Sequence, residues 1–156
     1  MAITKTYRPL QTLTLSGSAT SVTFSNIPNS YSDLILIYNG TTTANIGVSA
    51  TLNGDTANQQ RTFMYGSGGT KDGGTGGPRE VIYSSTTMTT AIVEFLDYSA
   101  TDKHKMILCR SGAAGVITMA SINTWQSLAA LNSISISPNS GSFSLNSTFS
   151  LYGVIA

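Results

Sequence analysis

The sequence predicts an all-β protein, an antiparallel β-sandwich that is jelly-roll-like and has about ten short strands. Apolar residues alternate with Ser or Thr along most of the 156-residue chain, which is typical of strands with one buried face. Turn-forming dipeptides recur about every 8–12 residues, the spacing found in sandwiches and barrels. Helical periodicity is nearly absent, and residues 124–131 are compatible with either a short helix or a loop. This pattern does not distinguish a jelly roll from other sandwiches.

The elements follow from the same pattern in chain order. We expect an N-terminal arm at residues 1–10 and a single sandwich domain at residues 11–156. Asn-Gly and Pro-Asn pairs end several strands, because Asn and Gly tolerate positive φ and Pro presets φ. The expected strands, with the turns that end them, are 13–15, 22–24, 34–38 before Asn39-Gly40, 48–52 before Asn53-Gly54, 78–83, 91–96, 104–110 before Ser111-Gly112, 133–137 before Pro138–Gly141, and 149–151.

Two of these strands, Leu34–Tyr38 and Ala91–Leu96, are more continuously apolar than the others. Strands that read as unbroken apolar runs are usually buried on both faces. We therefore expect both to lie centrally in a sheet, where they are either covered on both sides or turned toward a partner.

Residues 66–77 read GSGGTKDGGTGG and contain seven of the chain's 15 glycines. A phosphate-binding P-loop needs Gly before its Lys and a helix after it, whereas Lys71 follows Thr70 and precedes Asp72, and the next segment is strand-like. We therefore expect a flexible loop between two strands. Because ordering so many glycines costs backbone entropy, a fixed conformation here would imply a partner.

Catalytic and metal chemistry has little support in the sequence. Cys109 lies in an apolar stretch and is expected to be buried, and Trp125 is expected in the core. A single Cys and a single His, His104, are too few for a soft-metal site. The carboxylates of Glu94 and Asp97 are three residues apart, which places them on opposite faces of one strand. We expect no catalytic residue, no metal and no cofactor.

The charge of the chain is low. Charged residues make up 10% of it, against roughly a quarter in ordinary domains, and the net charge is +1. Nucleic acid is therefore not an expected partner, and no apolar run is long enough to predict a membrane partner. The N-terminus has no signal-peptide pattern, so we expect a soluble product made in a cytoplasm. A surface rich in hydroxyls and poor in ions suits an assembly, because desolvating ions is costly.

Several segments together resemble small β-sandwich virion structural proteins of tailed bacteriophages, including cyanophages. The resemblance runs through nearly the whole chain, and its end matches best. It is carried by Ser21–Pro28, Tyr31–Leu34, Leu52–Thr56, Leu96–Ser99, Trp125, Ile134–Ile136 and Ser147–Ile155. The resemblance implies the sandwich fold and a virion location, with assembly in the bacterial host cytoplasm. It carries no catalytic residues.

The resemblance does not say where on the particle the protein lies. A single small domain that begins at Met1 favours a free-standing protein, so we expect a non-enzymatic capsid decoration (cement) protein that stabilises the head shell, with copies of itself and the major capsid protein as partners. A homotrimer would fit local three-fold positions. The alternative is a tail-fibre or baseplate module that binds cell-surface glycan through Tyr and Asn side chains. The candidate partner contacts lie in the arm, in the glycine-rich segment and close to it: Thr4, Tyr7, Arg8, Tyr65, Lys71, Asp72 and Arg79.

Overall fold

The computed structural model describes residues 6–77 and 79–155. Within them the chain forms twelve strands and no helix, so none of the described segments is a helix that could span a membrane. The strands are β1 (Tyr7–Thr14), β2 (Val22–Phe24), β3 (Asp33–Gly40), β4 (Ile46–Leu52), β5 (Gln59–Ser67), β6 (Thr70–Thr75), β7 (Glu80–Ser84), β8 (Thr89–Leu96), β9 (Lys105–Ala113), β10 (Ile117–Trp125), β11 (Ile134–Pro138) and β12 (Thr148–Val154).

The strands form two antiparallel sheets of unequal size. The large sheet has eight strands in the order β1-β12-β3-β8-β9-β10-β5-β6, and the small sheet has four in the order β2-β11-β4-β7. The prediction of an all-β antiparallel sandwich is confirmed, with twelve strands instead of about ten. Jelly-roll connectivity stays a prediction.

The core lies between the two sheets and is built by side chains at every second position. In β9 and β10 buried residues alternate with partly or fully exposed ones along the whole strand, as a period of two requires. The ring of Phe149 packs against those of Tyr38 and Phe143, with centroids 5.0 and 4.8 Å apart respectively. Trp125 and Cys109 are both buried, as predicted.

The two apolar strands lie side by side near the middle of the large sheet, as predicted for 34–38 and 91–96. β3 pairs with β8, and Ile37 is directly opposite Ile92. One face of each strand is buried in the core, whereas Ile37 and Ile92 point the other way and are partly exposed. Of the two expected arrangements, burial on both faces is therefore not found, and orientation toward a partner stays a prediction.

The prediction of a loop over residues 66–77 was wrong for most of the segment. A two-residue turn, Gly68-Gly69, follows β5, and both of its φ angles are positive, at 55° and 86°. Two central residues with positive φ make the kind of turn that matches the twist of a hairpin. Thr70–Thr75 then pairs with β5 as strand β6. The glycines of this segment lower its strand propensity, which concealed the hairpin in the sequence. In the structure they form the turn and allow β6 to approach β5 closely.

Three other boundaries differ from expectation. Residues 7–10 of the expected arm belong to β1, which pairs with the last strand. Ser111-Gly112 does not end its strand, because β9 continues to Ala113 and the turn follows at Gly115, whose φ is 72°. Residues 126–131 form a loop with no helical turn.

Candidate functional site

One face of the large sheet is not covered by any other described strand. We define the outer face as the side chains of this sheet that point away from the small sheet. Met64, Met106 and Ile122 belong to it and have exposed fractions of 68%, 44% and 52%. Side chains of this size seldom form a continuous exposed surface unless that surface binds something.

Two registered rows of side chains show how far the apolar area extends. Each row crosses neighbouring strands of the sheet, and together the rows contain only two charged residues. The first row is Ile37, Ile92, Arg110, Ala120 and Met64, and the second is Ile35, Glu94, Leu108 and Ile122. The outer face is therefore apolar across the middle of the sheet, with one charge of each sign inside the apolar area.

The two charges form an ion pair at the centre of the outer face. Glu94 lies on β8 and Arg110 on β9, and the Arg110 guanidinium donates to the Glu94 carboxylate. These strands are the fourth and fifth of the eight in the sheet. Most of the Arg110 side chain is exposed, at 64%, so the pair is open to solvent on the side facing away from the core.

Two shallow depressions lie on either side of this ion pair, and both are lined by Glu94 and Arg110. The depression toward β10 and β5 has a volume of about 490 Å³ and is bounded by Met64 and Ile122. The depression toward β3 and β12 has a volume of about 390 Å³ and is bounded by Ile35, Ile37, Ile92, Tyr7 and Tyr152. The outer face thus has a charged centre with an apolar hollow on each side.

Four of the sequence-predicted contact residues lie at opposite edges of the large sheet. Tyr7 and Arg8 are on edge strand β1, and Lys71 and Asp72 are on edge strand β6. Both edges carry features that discourage pairing with another sheet: Pro9 and a bulge in β1, and a charged, glycine-rich β6. The structure therefore points to the outer face, and not to the strand edges, as the surface suited to association.

Of the remaining predicted contact residues, Tyr65 is brought next to those of β6. It lies on β5 directly opposite Asp72, lines one depression together with Lys71 and Asp72, and also lines a groove between the sheets. Arg79 donates from Nη1 to the Thr51 hydroxyl of the small sheet, at 3.0 Å. Thr4 lies outside the described residues. The six candidates within the described residues therefore do not form one site, although Tyr65, Lys71 and Asp72 lie together.

A second feature of the surface, which we name the inter-sheet groove, lies where the large sheet extends past the small one. Strand β7, the edge of the small sheet, packs over β9 and β10. The inner side of β6 and of the second half of β5 is therefore left open, whereas Gln59 and Arg61 at the start of β5 are buried. The groove has a volume of about 420 Å³. Its lining comes from four strands and consists of Arg61, Phe63, Tyr65, Ser67, Thr70, Glu80, Tyr83, Ile117 and Met119.

A buried ion pair forms the floor of the groove. The Arg61 side chain is 4% exposed, and its Nη1 donates to the Glu80 carboxylate at 2.6 Å. The other Glu80 oxygen accepts from Asn139 Nδ2, also at 2.6 Å. The Arg61 guanidinium carbon lies 4.2 Å from the ring centroid of Phe63, a cation–π contact. Burial lowers the pKa of Arg61, and the Glu80 carboxylate opposes that shift.

The residues considered for catalysis have structural surroundings instead. Burial raises the pKa of the Cys109 thiol to about 12, so the thiol is protonated at neutral pH. Asp97 lies in the turn after β8, where Lys103 Nζ is 3.3 Å from its carboxylate. His104 is exposed just before β9. No group of three or more His, Cys, Asp or Glu side chains suited to a metal ion occurs among residues 6–77 and 79–155.

Sequence reasoning identified some residues of these two features, Tyr65 and the apolar strands 34–38 and 91–96, but not the features themselves. Arg61, Phe63 and Tyr65 occupy every second position of β5, which places them on one face and is the signal that would have revealed the groove. On the outer face, Ile122 stands between polar neighbours in the sequence and Met64 between two aromatic residues, and their common surface depends on strand order. Such pairing between distant strands cannot be derived from local alternation.

Comparison with known proteins gives distant structural likenesses. No protein-family model and no curated protein matches the chain. Galectin LEC-6 from Caenorhabditis elegans is similar with a TM-score of 0.43 and 14% identity, over 88% of this chain and 94% of that one. An exo-inulinase from Aspergillus awamori is similar with a TM-score of 0.44 and 12% identity, over 96% of this chain but 29% of that one. At these identities the likenesses concern the β-sandwich fold alone.

Proposed function

We propose that this chain is a structural protein of a bacteriophage virion, a capsid decoration protein that stabilises the head shell through protein–protein contacts. The outer face is the single observation that carries the proposal. When a second protein covers the apolar area across the central strands, that area is removed from water, which favours association. A protein that binds only the assembled shell stabilises that shell by mass action, without any catalysed reaction.

The occupant that the outer face fits best is a second copy of the same chain. Its central charges are self-complementary: a two-fold axis lying in the interface between Glu94 and Arg110 sets each residue opposite the other residue of the partner. The same axis places Met64 and Ile122 of one copy over the depression beside Ile35 and Ile37 of the other. Both charges then keep partners of opposite sign when they lose water.

The homotrimer expected from the sequence requires another contact. Pairing through identical faces closes at two copies, whereas a trimer needs two different surfaces that meet head to tail. The homotrimer and the contact with the major capsid protein therefore remain predictions that concern other parts of the surface.

Copy number on the particle tests the virion role. We expect the chain in purified phage particles at on the order of hundreds of copies, as a symmetric shell requires. Particles grown with Ile122→Lys should lose most of these copies, because a charge is then buried in the contact. Thr12→Lys is the matched control, since Thr12 is exposed near the sheet edge and outside the apolar area. Absence of the chain from particles would refute the virion role.

A tail-fibre or baseplate module that binds cell-surface glycan is the second candidate function. The inter-sheet groove favours it, because aromatic rings and hydrogen-bonding groups line the same concave surface. A copy number of a few to tens on each particle would support this candidate instead of the decoration role.

A further inference from the structure

We propose that the inter-sheet groove binds a neutral pyranose residue of a polysaccharide. The site extends the second candidate function by naming the class of ligand and the residues that hold it. Its residues lie on the inner side of the large sheet and on β7 of the small sheet, so it does not depend on the outer face or on pairing between copies. A protein could therefore use both surfaces at once.

The shape of the groove suits a sugar ring. Its volume of about 420 Å³ lies within the range of about 300–1,000 Å³ that is usual for ligand pockets. It is open on one side, because β5 and β6 extend past the edge of the small sheet. A chain of sugars can therefore enter along the open side without the ends of the polymer having to be buried.

Aromatic side chains supply the apolar surface that such a ligand needs. Phe63 and Tyr65 point to the same side of β5, and their rings are nearly parallel, with centroids 6.2 Å apart and an interplanar angle of 17°. Tyr83 lines the groove from the small sheet. One face of a pyranose exposes mainly C–H groups, and such a face packs on aromatic rings, whose faces carry partial negative charge.

Hydrogen-bonding groups lie beside these rings. The Glu80 side chain is 22% exposed, so its carboxylate can accept a hydrogen bond from a sugar hydroxyl while it keeps Arg61 and Asn139 as donors. Within the described residues, the phenol groups of Tyr65 and Tyr83 have no side-chain hydrogen bond, so both remain free to bond with a ligand.

The charge of the site indicates a neutral ligand. Among the lining residues, Arg61 and Glu80 are the only charged side chains, and they neutralise each other at 2.6 Å. The guanidinium is also covered by Phe63 and by Met119, whose Sδ lies 3.0 Å from Arg61 Nη2. An anionic sugar would meet the exposed oxygens of Glu80 and not the buried guanidinium, so like-charge repulsion disfavours it.

Titration of the whole protein with oligosaccharides tests the site. The probes are maltohexaose, cellohexaose and mannohexaose, with hexagalacturonate as the anionic comparison, and the readout is amide chemical shifts. We expect at least one neutral probe to shift amides of β5, β6 and β7 with a dissociation constant at or below about 1 mM. Tyr83→Ala should weaken that binding by about tenfold or more, and Tyr83→Phe by less, since the ring is kept.

Leu145→Ala is the control, because Leu145 is 56% exposed, lies in the loop before β12, and lines neither the groove nor the depressions of the outer face. It should leave the affinity unchanged, and unchanged Trp125 fluorescence should show that each variant is folded. The proposal is overturned if no neutral probe shifts the groove amides at about 10 mM, if hexagalacturonate binds more tightly, or if Leu145→Ala matches Tyr83→Ala. None of these outcomes bears on the copy number of the chain in phage particles.

Discussion

At the scale of single residues, Asp55 shows how one carboxylate links a turn to the core. It follows the turn Asn53-Gly54, whose two positive φ values, 51° and 77°, reverse the chain after β4. Its carboxylate accepts from the Ala57 amide and from the indole Nε1 of Trp125, both at 2.8 Å. These hydrogen bonds favour the charged form and hold the pKa of Asp55 well below its usual range.

The lowered pKa predicts an acid-sensitive contribution to stability. A carboxyl group whose folded pKa lies below its unfolded pKa stabilises the fold fully above about pH 4, and this contribution decreases as the pH falls further. The free energy of unfolding should therefore decline more steeply below about pH 4 in the native chain than in Asp55→Asn. Urea unfolding followed by Trp125 fluorescence between pH 7 and 2 measures the difference. Parallel profiles for the two chains would contradict the prediction.

At the scale of elements, the hairpin of β5 and β6 shows why a glycine-rich strand keeps its glycines. A Cβ atom built on Gly73 would lie 2.9 Å from the carbonyl oxygen of Phe63, closer than such atoms approach in practice. A Cβ on its neighbour Gly74 would meet nothing within 4 Å. The two positions are adjacent in one strand and differ mainly in this steric restriction, so they form a matched pair.

Gly73→Ala should destabilise the protein by about 1–3 kcal/mol, because the strand must shift away from β5. Gly74→Ala should change stability by less than about 1 kcal/mol, since the unfolded chain loses freedom and nothing clashes. Urea unfolding gives the free energies, and hydrogen exchange shows whether lost protection is confined to β5 and β6. Equal effects of the two substitutions would mean that the close approach of the strands does not restrict Gly73.

The sequence predicts elements better than it predicts their neighbours. Alternation and turn pairs identified the sandwich, the central position of 34–38 and 91–96, and the burial of Cys109 and Trp125. The hairpin at 66–77 was missed because local propensity ranks glycine as a poor strand former, although pairing with β5 decides the outcome. The outer face and the groove were not predicted as surfaces, although some of their residues were named, because both are formed by residues from distant strands.

At the scale of the whole molecule, the unequal sheets create both candidate surfaces. The small sheet covers the inner side of the large sheet only in part. The part of that side left open beside β5 and β6 is the groove. The other side of the large sheet has no described strand against it, and its apolar rows remain exposed. A protein with this surface is expected to associate, since the edges of the sheet are protected and its face is not.

Charge exchange between copies tests the two-fold pairing. Glu94→Arg gives a face with two central positive charges, and Arg110→Glu gives one with two negative charges, so each variant alone should sediment as a monomer. An equimolar mixture should form a heterodimer, because every charge then faces the opposite sign, and the double variant should dimerise like the native chain. Sedimentation velocity at about 100 μM and low salt detects each species, since screening weakens such contacts as salt is added. A native dimer whose two single variants fail to combine would show that the copies meet in another way. A native chain that is monomeric under these conditions would show that a different protein covers the outer face.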